Sequence, residues 1–132
     1  MSAQAPPRWI TKPGIIALHD RSLALHGGKR GLRDEGLLDS ALARPRNRHD
    51  YEGAVGIVDL AATYALAICA NHPFIDGNKR SAFLAAGLFL ETNGLRLTAN
   101  PADAALTMFK LAAGEMDVEA MAGWIGANVE EC

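Results

Sequence analysis

Apolar residues recur at helical spacing along most of this 132-residue chain, and turn residues divide them into about six segments. Pro13 suits a first helical turn, and Ile15, Ile16, Leu18, Leu23 and Leu25 carry the pattern to Gly27-Gly28, which predicts a helix over 13–26. Asp34 is placed to cap a second helix with Leu37, Leu38, Ala41 and Leu42 on one face, and Pro45 is expected to end it. Residues 45–56, with Pro45, Gly53, Gly56 and several charges, lack periodicity and read as an exposed loop or flap. Segment 57–71 is apolar nearly all round apart from Asp59 and Thr63, so it predicts a helix through the centre of the molecule. A fourth helix is expected from Asn78 to Asn93, closed by Gly94. Leu95 to Leu97 then reads as a short extended piece, Asn100-Pro101 as the next helix start, and Asp117 as the cap of a last helix to about Asn128. The predicted class is all-α, with about six helices around a central apolar one and no repeat or low-complexity tract.

Between the central helix and the fourth lies the stretch His72-Pro73-Phe74-Ile75-Asp76-Gly77-Asn78-Lys79-Arg80. Polar groups set between two apolar segments need partners or a function, because burying them unpaired is costly. Gly77 and Asn78 fall where loop becomes helix. The first N–H groups of a helix have no intrahelical partner and the helix dipole makes that end positive, so it attracts anions. Gly77 permits close approach of the backbone and Asn78 tolerates the dihedrals of an N–H nest. Lys79 and Arg80 add a point charge and a planar fork suited to phosphate. The plainer alternative is an ordinary helix start with solvated cations. Asp76 is a single carboxylate beside this cradle, sufficient to hold Mg²⁺ that takes its other ligands from water and phosphate, or else an N-cap. His72 is placed to accept a hydroxyl proton, or else to serve as a structural C-cap. Phe74 reads as an apolar anchor beneath the loop.

Length and composition narrow the setting. A chain of 132 residues fits one domain over 1–132, with residues 1–9 expected to be flexible. Thirteen Lys and Arg against fifteen Asp and Glu leave a net charge of -2, which argues against a general nucleic-acid binder. Cys69 and Cys132 form neither a disulfide framework nor a metal-ligand spacing. With no apolar run of signal-peptide or membrane-span length, a cytoplasmic protein is expected. Arg44, Arg46, Arg48 and His49 form a basic cluster that reads either as a dock for an acidic partner or as a solvated run.

The run HPFIDGNKR resembles the Fic and Doc family motif, HxFx(D/E)GN followed by Gly or Lys and then Arg. Ile16 to His26, the run GLRDEGLLDSALARP from Gly31 to Pro45, and the order of later helices are similar to death-on-curing toxins over most of the chain. The resemblance implies a compact helical fold and a transfer reaction from ATP to a protein hydroxyl. In most of the family the transferred group is AMP; in the Doc branch it is phosphate, placed on a translation elongation factor. On this chain His72 would be the general base, Asp76 the Mg²⁺ ligand, Gly77 and Asn78 the anion nest, and Lys79 and Arg80 phosphate contacts.

Two departures from the AMP-transferring pattern favour the Doc-like reaction: Lys79 stands where that pattern has Gly, and Phe83 where it has a second Arg. Gly77, where Doc-type motifs often have Ala, points the other way. The self-inhibitory (S/T)xxxE(G/N) segment of the family is absent, since the residues four before Glu35 and Glu52 are Gly31 and Arg48. The resemblance therefore implies a Phd-like antitoxin acting in trans. Three functions stay open on these grounds: a phosphotransferase toxin, an AMP transferase, and a binding module that has kept the helical groove without catalysis. Retention of His72, Asp76, Asn78 and Arg80 together weighs against the third.

Overall fold

The computed structural model describes residues 6–132, and the course of these residues is helical with one small ribbon. In chain order the elements are α1 (Lys12–His26), α2 (Glu35–Glu52), α3 (Ile57–Asn71), α4 (Asn78–Thr92), β1 (Leu95–Leu97), α5 (Pro101–Ala112), α6 (Val118–Ala127) and β2 (Val129–Glu131). The helix starts follow local chemistry. Thr11, Asp34, Asn100 and Asp117 each accept a backbone N–H of the first turn through the side chain, so four N-termini are satisfied by short polar residues. The expected all-α class holds, and the last helix ends just before β2, which pairs antiparallel with β1 in the register Leu95↔Glu131 and Leu97↔Val129. That strand was not expected.

The apolar helix α3 is the centre of the fold, packed by α2, α4 and α6, and Leu60, Tyr64 and Ile68 are fully buried. Burial on all sides explains why its sequence has no polar face. Its polar exceptions are accommodated locally: Thr63 Oγ1 donates to Asp59 O at 2.8 Å and accepts from Arg48 Nη1 at 2.9 Å.

Two expectations require correction. The segment read as a loop over 45–56 is helical as far as Glu52, with Pro45 inside α2. A proline there removes one hydrogen bond and typically costs ~3 kcal/mol, so tertiary contacts must hold the turns beyond it. Pro45 is buried; Arg48 bonds Asp59 O, Thr63 Oγ1 and Glu52; and Arg46 lies over the Trp9 ring, 5.4 Å from its centroid. Arg46 and Arg48 of the basic cluster are thereby committed to packing. The second correction concerns the N-terminus: residues 1–5 of the segment expected to be flexible lie outside the described residues, but Arg8 and Trp9 are held in place. Arg8 N–H donates to Asn93 Oδ1 at 2.8 Å, Asn93 Nδ2 returns a bond to Arg8 O at 3.1 Å, and Trp9 stacks on Phe89 at 5.9 Å. Among the described residues no helix is long and apolar enough to cross a membrane.

Candidate active site

The C-terminus of α3 and the N-terminus of α4 face the same loop, so the nine-residue motif is pinned at both ends by core helices. His72 caps α3 in the left-handed conformation, φ 49° and ψ 56°, the only non-glycine with positive φ among the described residues. Its N–H closes on Ile68 O at 3.1 Å, and its side chain is exposed. The capping role and an accessible imidazole therefore coexist at one residue.

Phe74 is the expected anchor: it is buried and stacks face to face on His19 of α1, 3.7 Å between centroids. Asn78 is buried too, and its amide is committed to the loop. Its Oδ1 accepts Phe74 N–H at 3.0 Å while its Nδ2 donates to Phe74 O at 2.9 Å. These two bonds fix which end of the amide is which. The same Nδ2 lies 3.2 Å from His72 Nδ1; because an amide nitrogen only donates, neutral His72 in this contact carries its proton on Nε2. The Asn78 side chain thus shapes the loop, and what it offers an anion is its backbone N–H.

Gly77 provides the nest. Its φ of 74° and ψ of 23° are left-handed, a conformation glycine adopts without steric cost, and no side chain caps α4. Ser81 N–H is the first to close onto the helix, on Gly77 O at 2.9 Å, which leaves the Asn78, Lys79 and Arg80 N–H groups free at its positive end. Arg80 is exposed with no side-chain partner among the described residues. The Lys79 ammonium sits 5.5 Å from the centroid of Phe109 on α5. The expected phosphate contacts are thus brought together around one helix start, with Lys79 parked on an aromatic face.

Asp76 is exposed and is not a cap of α4. Its Oδ1 accepts Gly77 N–H at 2.9 Å and its Oδ2 accepts Lys29 N–H at 3.2 Å. Lys29 can come this close because Gly28 precedes it: a Cβ there would stand 3.0 Å from Asp76 Oδ2 and 2.8 Å from Leu23 Cδ2. Each oxygen keeps acceptor capacity, and among the described residues no three His, Cys, Asp or Glu groups converge on a metal. One oriented carboxylate suits Mg²⁺, which keeps most of its water and binds through few protein ligands.

Sequence reasoning missed two groups. The first is the segment from Gly28 to Asp34, which runs along the motif loop like a short strand: Ile75 N–H donates to Gly31 O at 3.0 Å, and the N–H groups of Arg33 and Asp34 donate to Pro73 O at 2.7 and 3.1 Å. The second is the face of α1 made by Leu18, Arg21, Ser22, Leu25 and His26, which lines a cleft of about 1220 Å³ together with the motif and α5. Their i, i+3, i+4 spacing was visible, but apolar and polar residues are mixed on both this side of α1 and the side with Ile15, His19 and Leu23, and only packing decides which one turns to the cleft. His19, on the core side, bonds Ser81 Oγ at 2.7 Å through Nδ1, leaves Nε2 without a partner, and is held below the usual imidazole pKa by burial.

Fold and site together define a helical protein with three free N–H groups at one helix start, an accessible loop histidine and one nearby carboxylate, an arrangement suited to transferring a phosphate-bearing group to an acceptor. A family model described as the Fic/DOC family matches residues 9–90. The protein kinase doc of Escherichia phage P1 is 36% identical over 115 residues, covering 87% of this chain and 90% of that one. Toxin Doc of Mycolicibacterium smegmatis (strain ATCC 700084 / mc(2)155) is 41% identical over 75 residues, 56% of this chain and 58% of that one. This chain belongs to the Fic/DOC family.

Proposed function

We propose that this protein is the toxin of a toxin-antitoxin pair and transfers the γ-phosphate of ATP to a hydroxyl of a protein target, a translation elongation factor, in the cytoplasm. The observation that carries the reading is the set of free N–H groups at Asn78, Lys79 and Arg80 behind left-handed Gly77, with His72 at the other end of the same loop. The names of the relatives, a protein kinase and a toxin, support the choice of reaction and of biological role.

In this reading the ATP phosphates lie at the α4 N-terminus, bound by the three N–H groups and by Arg80, with Lys79 leaving the Phe109 ring to add its charge. The target hydroxyl oxygen attacks the γ-phosphorus, the bond from that phosphorus to the bridging oxygen breaks, ADP leaves, and the hydroxyl proton passes to His72. The Asn78 contact occupies the Nδ1 lone pair and leaves the resting proton on Nε2, so the ring has to turn off Asn78 before a lone pair can face the hydroxyl. Asp76 would hold Mg²⁺, which when bound neutralises charge developing on the phosphates.

Inhibition is assigned to an antitoxin of the Phd-like kind acting in trans. Neither Glu-Gly pair of the chain can act as an internal brake in the conformation seen, since Glu35 is engaged by Lys12 and Glu52 by Arg48. The apolar cleft walls, with Leu18, Leu25, Phe83 and Met108, suit an amphipathic segment that folds as it binds.

Labelled ATP tests the reading directly. Incubation with a ribosome-containing bacterial extract should move γ-label, and not α-label, onto one protein, and His72→Ala should lower the rate by ~10²- to 10⁴-fold while remaining folded. Transfer of α-label would replace phosphate by AMP. No transfer of either label, with the protein harmless when expressed alone, would leave only a binding module.

A further inference from the structure

The conformation of His72 is doubly unfavourable. A left-handed backbone is costly for a residue with a side chain, and the following Pro73 further restricts the residue before it to extended conformations. Such a conformation persists only where the surroundings over-determine it. Those surroundings are provided by Arg33. Its Nε donates to His72 O at 2.7 Å and its Nη2 to Asn71 O at 2.8 Å, so one planar guanidinium bridges the last two carbonyls at the end of α3. The Arg33 main chain adds its N–H to Pro73 O. Asn71 is tied in turn to Leu37 O of α2 through its Nδ2 at 3.0 Å, which anchors the end of α3 to the same region of the chain that supplies Arg33.

We infer that Arg33 is a positioning residue of the transfer reaction: its bidentate grip on the Asn71 and His72 carbonyls holds His72 in its left-handed conformation and thereby sets where the imidazole stands relative to the α4 N-terminus. The inference rests on the reading of His72 as the proton acceptor, but the backbone grip itself can be tested without it. Arg33 is exposed and touches none of the phosphate-binding groups, so its contribution is carried entirely by geometry. A lysine in its place offers a point charge that cannot bridge two carbonyls in one plane.

The test compares Arg33→Ala and Arg33→Lys with Asp34→Ala, which removes the neighbouring α2 cap, accepted from Leu37 N–H, and weakens the same region without touching the grip. Two readouts are taken: the NMR amide coupling and imidazole signals of His72 in the free protein, and γ-label transfer to a bacterial extract across ATP concentrations. In Arg33→Ala the His72 signals should leave their parental positions, kcat should fall by about tenfold to a hundredfold, as expected for a misplacement of the order of 1 Å, and the KM for ATP should stay within about threefold. Arg33→Lys should shift the same signals part of the way and recover part of the rate, and it stands in should the alanine variant not fold. Asp34→Ala should lose thermal stability with the His72 signals and kcat retained. Unmoved His72 signals in both Arg33 variants would overturn the inference, as would an equal loss of kcat in Asp34→Ala at equal stability. If the parent transfers no label at all, the transfer reading fails while the His72 signals still decide whether Arg33 sets the loop.

Discussion

Removing the Asn78 side chain separates a residue that binds phosphate from one that builds the loop. The segment Gly31 to Arg33 and the motif loop run antiparallel, with Leu32 opposite Phe74 and the bonds falling on Ile75 N–H and Pro73 O at either side. Phe74 is therefore a position whose own N–H and C=O turn away from that neighbour, and both are met by the Asn78 amide. In Asn78→Ala these two main-chain groups, on a residue only 1% exposed, lose their partners. An unsatisfied buried donor or acceptor costs about 1 to 3 kcal/mol. Two of them, with some access for water from exposed Ile75 and His72, should cost about 2 to 4 kcal/mol, a large share of a typical stability of about 5 to 15 kcal/mol. Urea unfolding followed by circular dichroism should show the midpoint lowered by about 1 to 2 M for a slope near 2 kcal/mol/M. Arg80→Ala, on an exposed side chain without a partner among the described residues, should stay within about 0.5 kcal/mol of the parent. If Asn78→Ala unfolds within about 0.3 M of the parent while ATP affinity drops, the amide serves the ligand and the loop-building argument is wrong.

Three further outcomes follow from the same geometry. Asp76→Asn should weaken Mg-ATP binding in calorimetry far more than binding of ATP with EDTA, and an unchanged Mg²⁺ dependence would remove the metal role. In the free protein, ¹⁵N spectra should show His72 with its proton on Nε2; a proton on Nδ1 at rest would mean that the Asn78 contact does not form in solution. Burial lowers the His19 pKa below its ordinary value of 6.5, so the unfolded chain binds that proton more readily; its share of stability is complete above about pH 6.5 and is lost as the pH falls through the folded value. Urea midpoints of the parent should decline over that window, and His19→Gln should flatten the decline; an identical profile in the variant would show that another group is responsible.

What the sequence made legible is what local chemistry decides. The caps at Asp34, Asn100 and Asp117, the left-handed Gly94 and the all-apolar α3 were readable because each rests on residues within one or two turns of each other. Pro45 misled for the complementary reason. Proline normally ends a helix through a local effect, and here residues far along the chain hold the turns beyond it: Arg46 on Trp9 and Arg48 on Thr63 and Asp59. The ribbon of β1 with β2 likewise depends on chain ends that meet only after α5 and α6 have packed. Trp9 belongs to the same class, since nothing in residues 1–9 announces Phe89 as its partner.

The site divides along the same line. The sequence placed the polar motif residues next to one another without showing which would face solvent. The fold buries Asn78 and Phe74 and leaves His72, Asp76, Lys79 and Arg80 exposed, so the first pair shapes the loop and the remaining four stay available to a ligand. Helical phase accounts for part of this, because Asn78, Ser81 and Ala82 point to the core from the first turns of α4 while Lys79 and Arg80 point away. The rest comes from the segment between Gly28 and Arg33, which is remote in sequence yet meets Asp76, Ile75, Pro73 and His72 in turn. A motif of nine residues thus acquires its shape from a second stretch of chain, and substitutions there should change how the loop presents His72 without touching Lys79, Arg80 or the free N–H groups of α4.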